Sequence, residues 1–501
     1  MKVDRSVMIR FAIAVATLAI STAFASAATI TGDVPGYRRL VELEASRTFS
    51  SELVNDLNSR DPALASRAAL AIGRTKDIRG TAPLLARYRD SRDPGVRAMA
   101  LYALGLLSDH TPIEIGTVLR ALHDRDNVIR VAAIDAAQRT IAAKQPGADV
   151  FGAPLIALMR DDRDPIVRGR AAVALATLAD MPAEGAGASN ERIGAAVVAA
   201  YETERNLTVR WHEAWTLGRA FPKAPSIAQI TNALSDKDQL IRLEFLTVAG
   251  RHGDPDLVRL MEPLTHDPAW RVAEQASESI IRLNTGTRTE HLTKIPDGVT
   301  TPAPLPEETT VPLPRPTGLG PIRRPVPADA ILTLPLHPTS GASLDGPAPG
   351  LHPRVRIGTT KGAIVVRLYP EWAPLTVANF LNLVNRGYYD NLRWFRIVPN
   401  FVAQTGDTKN GAADSPGPGY TIPAEENPLE QRAGIISMGL NYEKAQAVRD
   451  SAGSEFYITM SPQMHLNRSF TVFGEVESGF NVLGRLIESD TMTRVEELPP
   501  D

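Results

Sequence analysis

The sequence predicts a multidomain protein, with an all-α solenoid of repeated helix pairs followed by a closed β-barrel with flanking helices. Three observations predict this. A chain of 501 residues is too long for one hydrophobic core. A turn-and-helix pattern recurs every 29 to 42 residues through the first half. Beyond residue 350 the apolar residues occur instead in short alternating runs, which are typical of strands.

Composition excludes several classes of function. Apolar residues make up 43% of the chain and charged residues 22%, as in ordinary globular proteins. The net charge of −3 does not favour nucleic acid as a partner. The chain contains no cysteine, so it forms no disulfide and no thiolate zinc site. His252, His266 and the acidic run at 161–164 lack metal-ligand spacing, and we expect neither a metal nor a cofactor.

Residues 1–27 are predicted to be a secretory signal peptide. Basic residues precede an apolar run at 11–20, and Ala25-Ser26-Ala27 supplies a cleavage pattern of small residues. The alternative is an uncleaved membrane anchor, but the apolar stretch is short for a span of about 20 residues. We therefore expect export across the cytoplasmic membrane to the periplasm, with no stable membrane span after cleavage.

Residues 36–290 are predicted to form the solenoid. In Asp93-Pro94-Gly95-Val96-Arg97 the aspartate caps a helix, the proline fits its first turn, and apolar residues follow at helical spacing. Neither helix of a pair can bury its apolar stripe alone, so neighbouring pairs must stack. Related copies occur at 126–130, 164–168, 206–210, 238–242 and 267–271, with a looser copy beginning at Asp61-Pro62.

The aspartate and arginine of each copy resemble the ladder of HEAT repeats, in which these side chains bond across adjacent repeats. This part of the chain is interpreted either as a pure scaffold or as a site for a protein partner or client. Trp211 and Trp215 lie four residues apart, so they are either core residues or a patch that stacks on peptides. Residues 291–350 contain 14 of the 39 prolines and are predicted to form an extended tether.

Residues 351–491 are predicted to form the barrel, with a tail at 492–501. A hairpin turns at 359–362, and Pro374 opens a helix that ends at Gly387. Further strands are expected at 434–438, 454–459 and 470–476. In the segment 394–407 polar and apolar residues alternate. If this segment ran as one straight strand, Arg396, Val398, Asn400, Val402 and Gln404 would share a face.

Four ordered motifs make the region after the tether resemble the cyclophilins, a family of peptidyl-prolyl cis-trans isomerases. Residues 389–407 match the pattern Y-D-x-x-x-F-H-R-x-x-x-x-F-x-x-Q-x-G-D, with Phe395 in place of the histidine. Gly434-Ile435-Ile436-Ser437-Met438 matches G-x-x-S-M. The family pattern G-S-Q-F-F-I is written here as Gly453-Ser454-Glu455-Phe456-Tyr457-Ile458. The pattern L-D-G-K-x-x-V-F-G-x-V is written as Leu466-Asn467-Arg468-Ser469-Phe470-Thr471-Val472-Phe473-Gly474-Glu475-Val476.

The resemblance implies a role for individual residues. Arg396 matches the arginine that donates to the prolyl nitrogen, and Gln404 matches the glutamine that holds the substrate backbone. The proline pocket is implied to have walls formed by Phe401, Val402, Tyr457 and Leu466. At four substrate-binding positions this chain departs from the usual residue: His465 stands for Trp, Phe470 for His, Leu440 for Asn and Glu455 for Gln.

Rotation about an X-Pro bond breaks amide resonance at a cost of about 18–20 kcal/mol. No bond to carbon is made or broken, so the reaction needs no nucleophile, metal or cofactor. The sequence therefore predicts an exported peptidyl-prolyl isomerase for proline-containing client proteins. The alternative is a non-catalytic adaptor that binds proline peptides, or a scaffold of the cell envelope. With the isomerase assignment, removal of residues 28–290 is expected to spare activity on short peptides.

Overall fold

The computed structural model describes residues 37–108, 114–181, 190–285, 352–398, 400–406, 417–443 and 446–499. The predicted signal peptide and the predicted proline-rich tether lie outside these ranges. By its internal contacts the chain divides into two compact units, with a boundary between Leu257 and Val258. The predicted end of the solenoid at residue 290 stays a prediction.

The first unit is a succession of antiparallel helix pairs. Each interior helix that follows an Asp-Pro turn packs on the corresponding helix of the repeats before and after it. The helices of this unit are α2 (Ser51–Leu57), α3 (Pro62–Thr75), α4 (Thr81–Asp90), α5 (Pro94–Leu107), α6 (Ile115–Leu122), α7 (Asn127–Ala142), α8 (Gly152–Asp161), α9 (Pro165–Leu178), α10 (Asn190–Thr203), α11 (Leu207–Ala220), α12 (Ile227–Leu234) and α13 (Gln239–His252).

The repeat motif folds as its residues predict. Asp93 caps α5 by accepting from the amide of Val96, and Pro94 occupies the first turn. The caps of α3, α9, α11 and α13 are Asp61, Asp164, Asn206 and Asp238, and each accepts backbone hydrogen bonds with its side chain. Trp215 is a core residue. Trp211 is half-buried, and its indole N–H donates to Asp238 at 3.0 Å.

A ladder of ion pairs joins adjacent repeats, but its carboxylates are not the motif aspartates that the resemblance implied. Its acidic member stands two residues before each capping residue, so capping and ladder pairing use different carboxylates. Arg130, for example, makes two charge-assisted bonds of 2.7 and 2.8 Å to Asp162, whose carboxylate also accepts from the amide of Asp164. The other ladder pairs are Arg97–Asp124, Arg168–Glu204 and Arg210–Asp236.

The second unit combines a sheet with helices from both ends of the helical region. Val41 and Ala45 of α1 (Tyr37–Ala45) belong to the same apolar cluster as the interior of the sheet. This unit also contains most of α14 (Leu257–Met261), together with α15 (Trp270–Thr285), α16 (Pro374–Asn385) and α17 (Phe480–Leu483).

Eight antiparallel strands form the curled sheet in the order β10-β1-β2-β9-β5-β8-β4-β3. An isolated bridge between Arg393 and Thr491 joins the segments that precede the two edge strands. Residues 492–498, assigned to a tail from the sequence, form an edge strand that pairs with β1. The strands are β1 (Arg354–Thr359), β2 (Gly362–Leu368), β3 (Arg396–Val398), β4 (Val402–Thr405), β5 (Ile435–Met438), β8 (Phe456–Thr459), β9 (Val472–Ser478) and β10 (Met492–Leu498). A separate hairpin consists of β6 (Tyr442–Glu443) and β7 (Gln446–Ala447).

Aromatic rings fill the interior between α16 and the sheet. Phe380 of α16 lies 5.2 to 5.4 Å, centroid to centroid, from Tyr389, Phe456 and Phe473. All four rings are fully buried. Such tilted and edge-to-face pairs add to the gain from burial. The sheet is therefore backed by a rigid core.

The segment 394–407 departs from the predicted straight strand. It folds back on itself as the hairpin β3–β4, and Asn400 occupies the turn with a φ of 52°. Asparagine tolerates this left-handed conformation better than most residues. The turn takes Asn400 out of the row in which a straight strand would place it. Arg396 and Gln404 stay on one face because the hairpin sets them opposite each other.

Candidate active site

A row of four side chains crosses the sheet. Arg396 stands opposite Gln404 in the β3–β4 pair, Gln404 stands opposite Tyr457 in the β4–β8 pair, and Tyr457 stands opposite Ser437 in the β8–β5 pair. Directly opposed residues of antiparallel strands project from the same face. Three separate motifs of the sequence thus contribute to one surface.

Arg396 and Gln404 of the row form a chain of hydrogen bonds with Glu455. Nη1 of Arg396 donates to Oε1 of Gln404 at 2.9 Å. Nε2 of Gln404 in turn donates to Oε1 of Glu455. The amide of Gln404 therefore has its oxygen directed towards the guanidinium and its nitrogen towards the carboxylate. Glu455 orients the glutamine, and through it the arginine.

Aromatic side chains border the guanidinium. The Arg396 Cζ atom lies 5.5 Å from the centroid of the Phe401 ring, within the range of a cation–π contact. The ring of Phe401 stacks on that of His465, with centroids 5.6 Å apart and planes 19° apart. His465 is exposed and Phe401 is half-buried, so this stack stands at the rim of the site.

The remaining residues of the implied pocket belong to the apolar interior or lie against it. Val402, Tyr457 and Phe470 are buried, and the rings of Tyr457 and Phe470 meet edge to face at 5.6 Å. Leu466 is half-buried and packs against the same cluster. Burial raises the pKa of Tyr457 far above its usual value, so this wall is uncharged at neutral pH. Arg396 is itself half-buried, so its side chain is partly shielded from water.

The position of Glu455 depends on a glycine. A Cβ atom on Gly439 would lie 2.7 Å from Oε1 of Glu455, so only glycine leaves the carboxylate this space. The next residue, Leu440, is buried at the edge of the core. The substitutions Glu455 and Leu440 therefore change both the charge and the polarity of one margin of the site.

Tyr442 at the start of the β6–β7 hairpin was not identified from the sequence. Its side chain is 60% exposed. Partial burial raises the pKa of Tyr442, the charge of Arg396 opposes this increase, and the charge of Glu455 adds to it. Both charges are thus close enough to act on the phenol. An exposed aromatic residue between two motifs was the only signal in the sequence.

The described residues also bear on metal sites and on membrane spans. No group of three or more histidine, aspartate or glutamate side chains there is arranged to hold a metal ion. Within the same residues, every helix is too short or too polar to cross a membrane. At the row itself, the guanidinium of Arg396 is placed to donate hydrogen bonds.

Comparisons with known proteins agree with this geometry. The family model for cyclophilin type peptidyl-prolyl cis-trans isomerases matches residues 354–500, and the model for HEAT repeats matches residues 50–138 and 81–176. Peptidyl-prolyl cis-trans isomerase B of Bacillus subtilis is 45% identical over 134 residues, which cover 26% of this chain and 88% of that protein. Peptidyl-prolyl cis-trans isomerase-like 1 of Aspergillus niger is 39% identical, covering 29% of this chain and 88% of its own length.

Among solved structures, a cyclophilin type peptidyl-prolyl cis-trans isomerase of Cryptosporidium parvum matches with 28% identity. The match covers 30% of this chain and 98% of that one, with a TM-score of 0.27.

A curled antiparallel sheet with an arginine beside an aromatic ring is consistent with the prolyl isomerase class that the comparisons indicate. The chain belongs to the cyclophilin-type peptidyl-prolyl cis-trans isomerase family, and HEAT repeats precede its isomerase domain. The predictions of an enzyme and of its fold class are confirmed.

Proposed function

We propose that this isomerase accelerates rotation of X-Pro bonds in exported client proteins, with Arg396 as the group that stabilises the twisted bond. The supporting observation is the row in which Gln404 fixes the guanidinium beside the apolar wall. As the imide twists, the prolyl nitrogen regains its lone pair and becomes a hydrogen-bond acceptor. A donor fixed there binds the twisted state better than the planar state, and this difference lowers the barrier.

The other residues of the site have supporting roles in this proposal. Phe401, Val402, Tyr457 and Leu466, with His465 and Phe470 at the margins, hold the proline ring and exclude water that would compete for the guanidinium. Gln404 holds the substrate backbone, and Glu455 keeps Gln404 in place.

A protease-coupled assay on a short Ala-Pro peptide tests the catalytic role. Wild type is expected to accelerate isomerisation, and Arg396→Ala is expected to lose most of that acceleration. Equal rates for the two proteins would refute the role of Arg396. A wild type that binds the peptide without turnover would instead support the adaptor.

We also propose that the HEAT repeats bind client or partner polypeptide. A cavity of about 250 Å³ in the first unit supports this, because both aromatic and charged side chains line it. Among the lining residues are Tyr201, Arg210, Asn232 and Phe245. Capture of client near the isomerase domain would raise its effective concentration at the site.

The test uses the full chain and an unfolded competitor protein that contains no proline. If the repeats capture client, the competitor slows catalysed refolding of a proline-limited protein but leaves the peptide assay unchanged. Asn232→Trp fills the exposed edge of the cavity. It is expected to slow catalysed refolding in the same way, without changing the rate in the peptide assay. Ile78→Trp is the matched control because Ile78 is exposed and lies outside the lining. Equal effects of competitor on both assays would contradict capture by the repeats.

The third part of the proposal is export to the periplasm, supported by the charge, apolar run and small-residue pattern of residues 1–27. Expression of the full chain in a bacterium with two membranes should yield a periplasmic protein that begins at Ala28, as read by mass spectrometry. A full-length protein retained in the cytoplasm would contradict export.

A further inference from the structure

The last helix of the helical region contacts the turn of the catalytic hairpin. Nδ2 of Asn400 donates to the backbone oxygen of Arg271 at 3.1 Å and to Oε1 of Gln275 at 3.2 Å, and both acceptors belong to α15. Asn400 is 7% exposed, so these bonds are shielded from water. They stand directly beside Phe401, which the proposed function assigns to the proline pocket.

A second contact reaches the same turn from the neighbouring strand. Nη1 of Arg271 donates to the backbone oxygen of Met460, and the amide of Met460 donates to the backbone oxygen of Phe401 at 2.8 Å. Burial lowers the pKa of Arg271 to about 10, so the guanidinium stays charged at neutral pH. α15 therefore binds the side chain of Asn400 directly. It reaches the backbone oxygen of Phe401 through Met460.

Arg271 occupies the ladder position of its repeat. In earlier copies of the motif the corresponding arginines, such as Arg130 and Arg210, pair with a carboxylate near the start of the next repeat. In the copy at 267–271, the last that the described residues contain, the arginine binds a carbonyl of the barrel. The repeat motif thus supplies an interaction that ends on the isomerase site.

The loop after Met460 extends this network to a second wall of the pocket. The backbone oxygen of Asn400 accepts from Nε2 of Gln463 at 2.9 Å and from the hydroxyl of Ser461. Gln463 begins the turn that leads to His465 and Leu466, and its carbonyl accepts from the amide of Leu466 at 2.9 Å. Asn400 therefore connects α15 to both sides of the proposed proline pocket.

We propose that α15 is a positioning element of the isomerase site, and that Gln275, Arg271 and Asn400 are positioning residues that hold Phe401 and Leu466 in place. This inference rests on the proposed function, which makes those two residues walls of the pocket. It reverses the expectation that residues 28–290 can be removed without loss of activity on short peptides.

Two substitutions in the full chain test this proposal, one on each side of the contact between Asn400 and Gln275. Asn400→Gly keeps the left-handed backbone and removes the side-chain donor. Gln275→Leu has a similar size and removes the acceptor. Ile281→Ser is the control, because Ile281 lies on the exposed face of the same helix. Each protein is assayed on the Ala-Pro peptide, and amide hydrogen exchange is followed at Phe401 and Met460.

A pocket wall binds the planar and twisted states alike, so its displacement should raise KM and leave kcat unchanged. We expect KM to rise about fivefold for both variants, with kcat within twofold of wild type. This is well below the upper limit, because a group misplaced by about 1 Å can lower an enzyme's rate by up to about 100-fold. Exchange at Phe401 and Met460 should become faster. The double variant should be no worse than the more affected single variant, because both substitutions remove one interaction.

Loss of folded protein gives a different result, a lower apparent kcat at unchanged KM. That outcome would overturn the proposal. So would a double variant in which the two increases in KM multiply, or an Ile281→Ser variant whose KM rises as much as that of the two test variants. If Asn400→Gly does not fold, the comparison of Gln275→Leu with Ile281→Ser decides alone. A failure of the proposed function is recognised separately, because wild type and Arg396→Ala would then have the same activity.

Discussion

Arg396 and Gln404 stand directly opposite each other in the β3–β4 hairpin, with Nη1 of the arginine 2.9 Å from Oε1 of the glutamine. The glutamine oxygen holds one edge of the planar guanidinium. The geometry of the site is thus set by strand register.

Arg396→Ala is expected to lower kcat/KM on a short Ala-Pro peptide by about 100-fold or more, as loss of a donor to a developing acceptor does in other enzymes. Arg393→Ala is the matched control, because Arg393 is exposed and lies three residues earlier in the same segment. Protease-coupled rates decide the prediction, and comparable losses for the two variants would contradict it.

Glu455→Gln should keep or raise kcat/KM. The new amide oxygen can still accept from Gln404, while the negative charge that competes with the substrate for Arg396 is removed. Glu455→Leu removes the acceptor as well and should lower kcat/KM by about tenfold through a loosened Gln404. The same assay checks the prediction. The kcat/KM of Glu455→Gln should equal or exceed that of wild type, and the kcat/KM of Glu455→Leu should be lower than both. A Gln variant as impaired as the Leu variant would show that the charge itself is needed.

Arg130→Ala should lower the free energy of unfolding by about 3 kcal/mol, because it leaves the carboxylate of Asp162 buried without its cation. The control is Arg160→Ala. Arg160 pairs with Asp161 at the surface, where ion pairs contribute at most about 1 kcal/mol. Urea titrations of the full chain followed by far-UV circular dichroism compare the two. Similar shifts in both titrations would show that the ladder adds nothing beyond a surface pair.

Glu213 gives the first unit a pH dependence of opposite sign to that of a paired carboxylate. Its side chain is fully buried, and its oxygens accept no hydrogen bond from the described residues. Burial raises the pKa of Glu213 to about 8, and the charge of Glu204 adds to this increase, while Arg168 and Arg210 oppose it.

The folded protein therefore holds a proton on Glu213 that the unfolded chain has released above its usual pKa of about 4.5. Stability from this group is complete below about pH 4.5 and is lost as the pH rises to about 8. Relative to Glu213→Gln, wild type should lose up to about 1.4 kcal/mol per pH unit between pH 5 and 8. Urea midpoints of both proteins from pH 5 to 8 measure this difference in stability. A difference that does not change with pH would contradict the prediction, because the carboxyl would then already be ionised at pH 5.

Much of the architecture follows from local sequence. The Asp-Pro turns fix where repeat helices begin, and Pro374 fixes the start of α16. The alternating runs at 354–359 and 362–368 specify β1 and β2. These elements could be predicted because capping and periodic burial depend on residues a few positions apart.

Local sequence patterns predicted the site only in part. Arg396, Gln404, Phe401 and Tyr457 were identified through the motifs, but a straight strand was expected where the chain makes a hairpin at Asn400. A one-dimensional pattern cannot distinguish a strand from two short strands whose turn preserves the alternation. The influence of Arg396 and Glu455 on Tyr442 was not foreseen either, because it joins segments that are far apart in sequence.

The sequence alone therefore determined the class of protein, the order of its HEAT repeats and isomerase domain, and the motifs that contain Arg396, Gln404 and Tyr457, since each is written in local pattern and composition. Only the tertiary structure decided that residues 492–498 complete the sheet, that Glu455 acts through Gln404, and that Arg271 of the last repeat binds the barrel. The physical reason is that these interactions join groups from 51 to 189 residues apart, and backbone bonds such as that to Met460 leave no mark on side-chain identity.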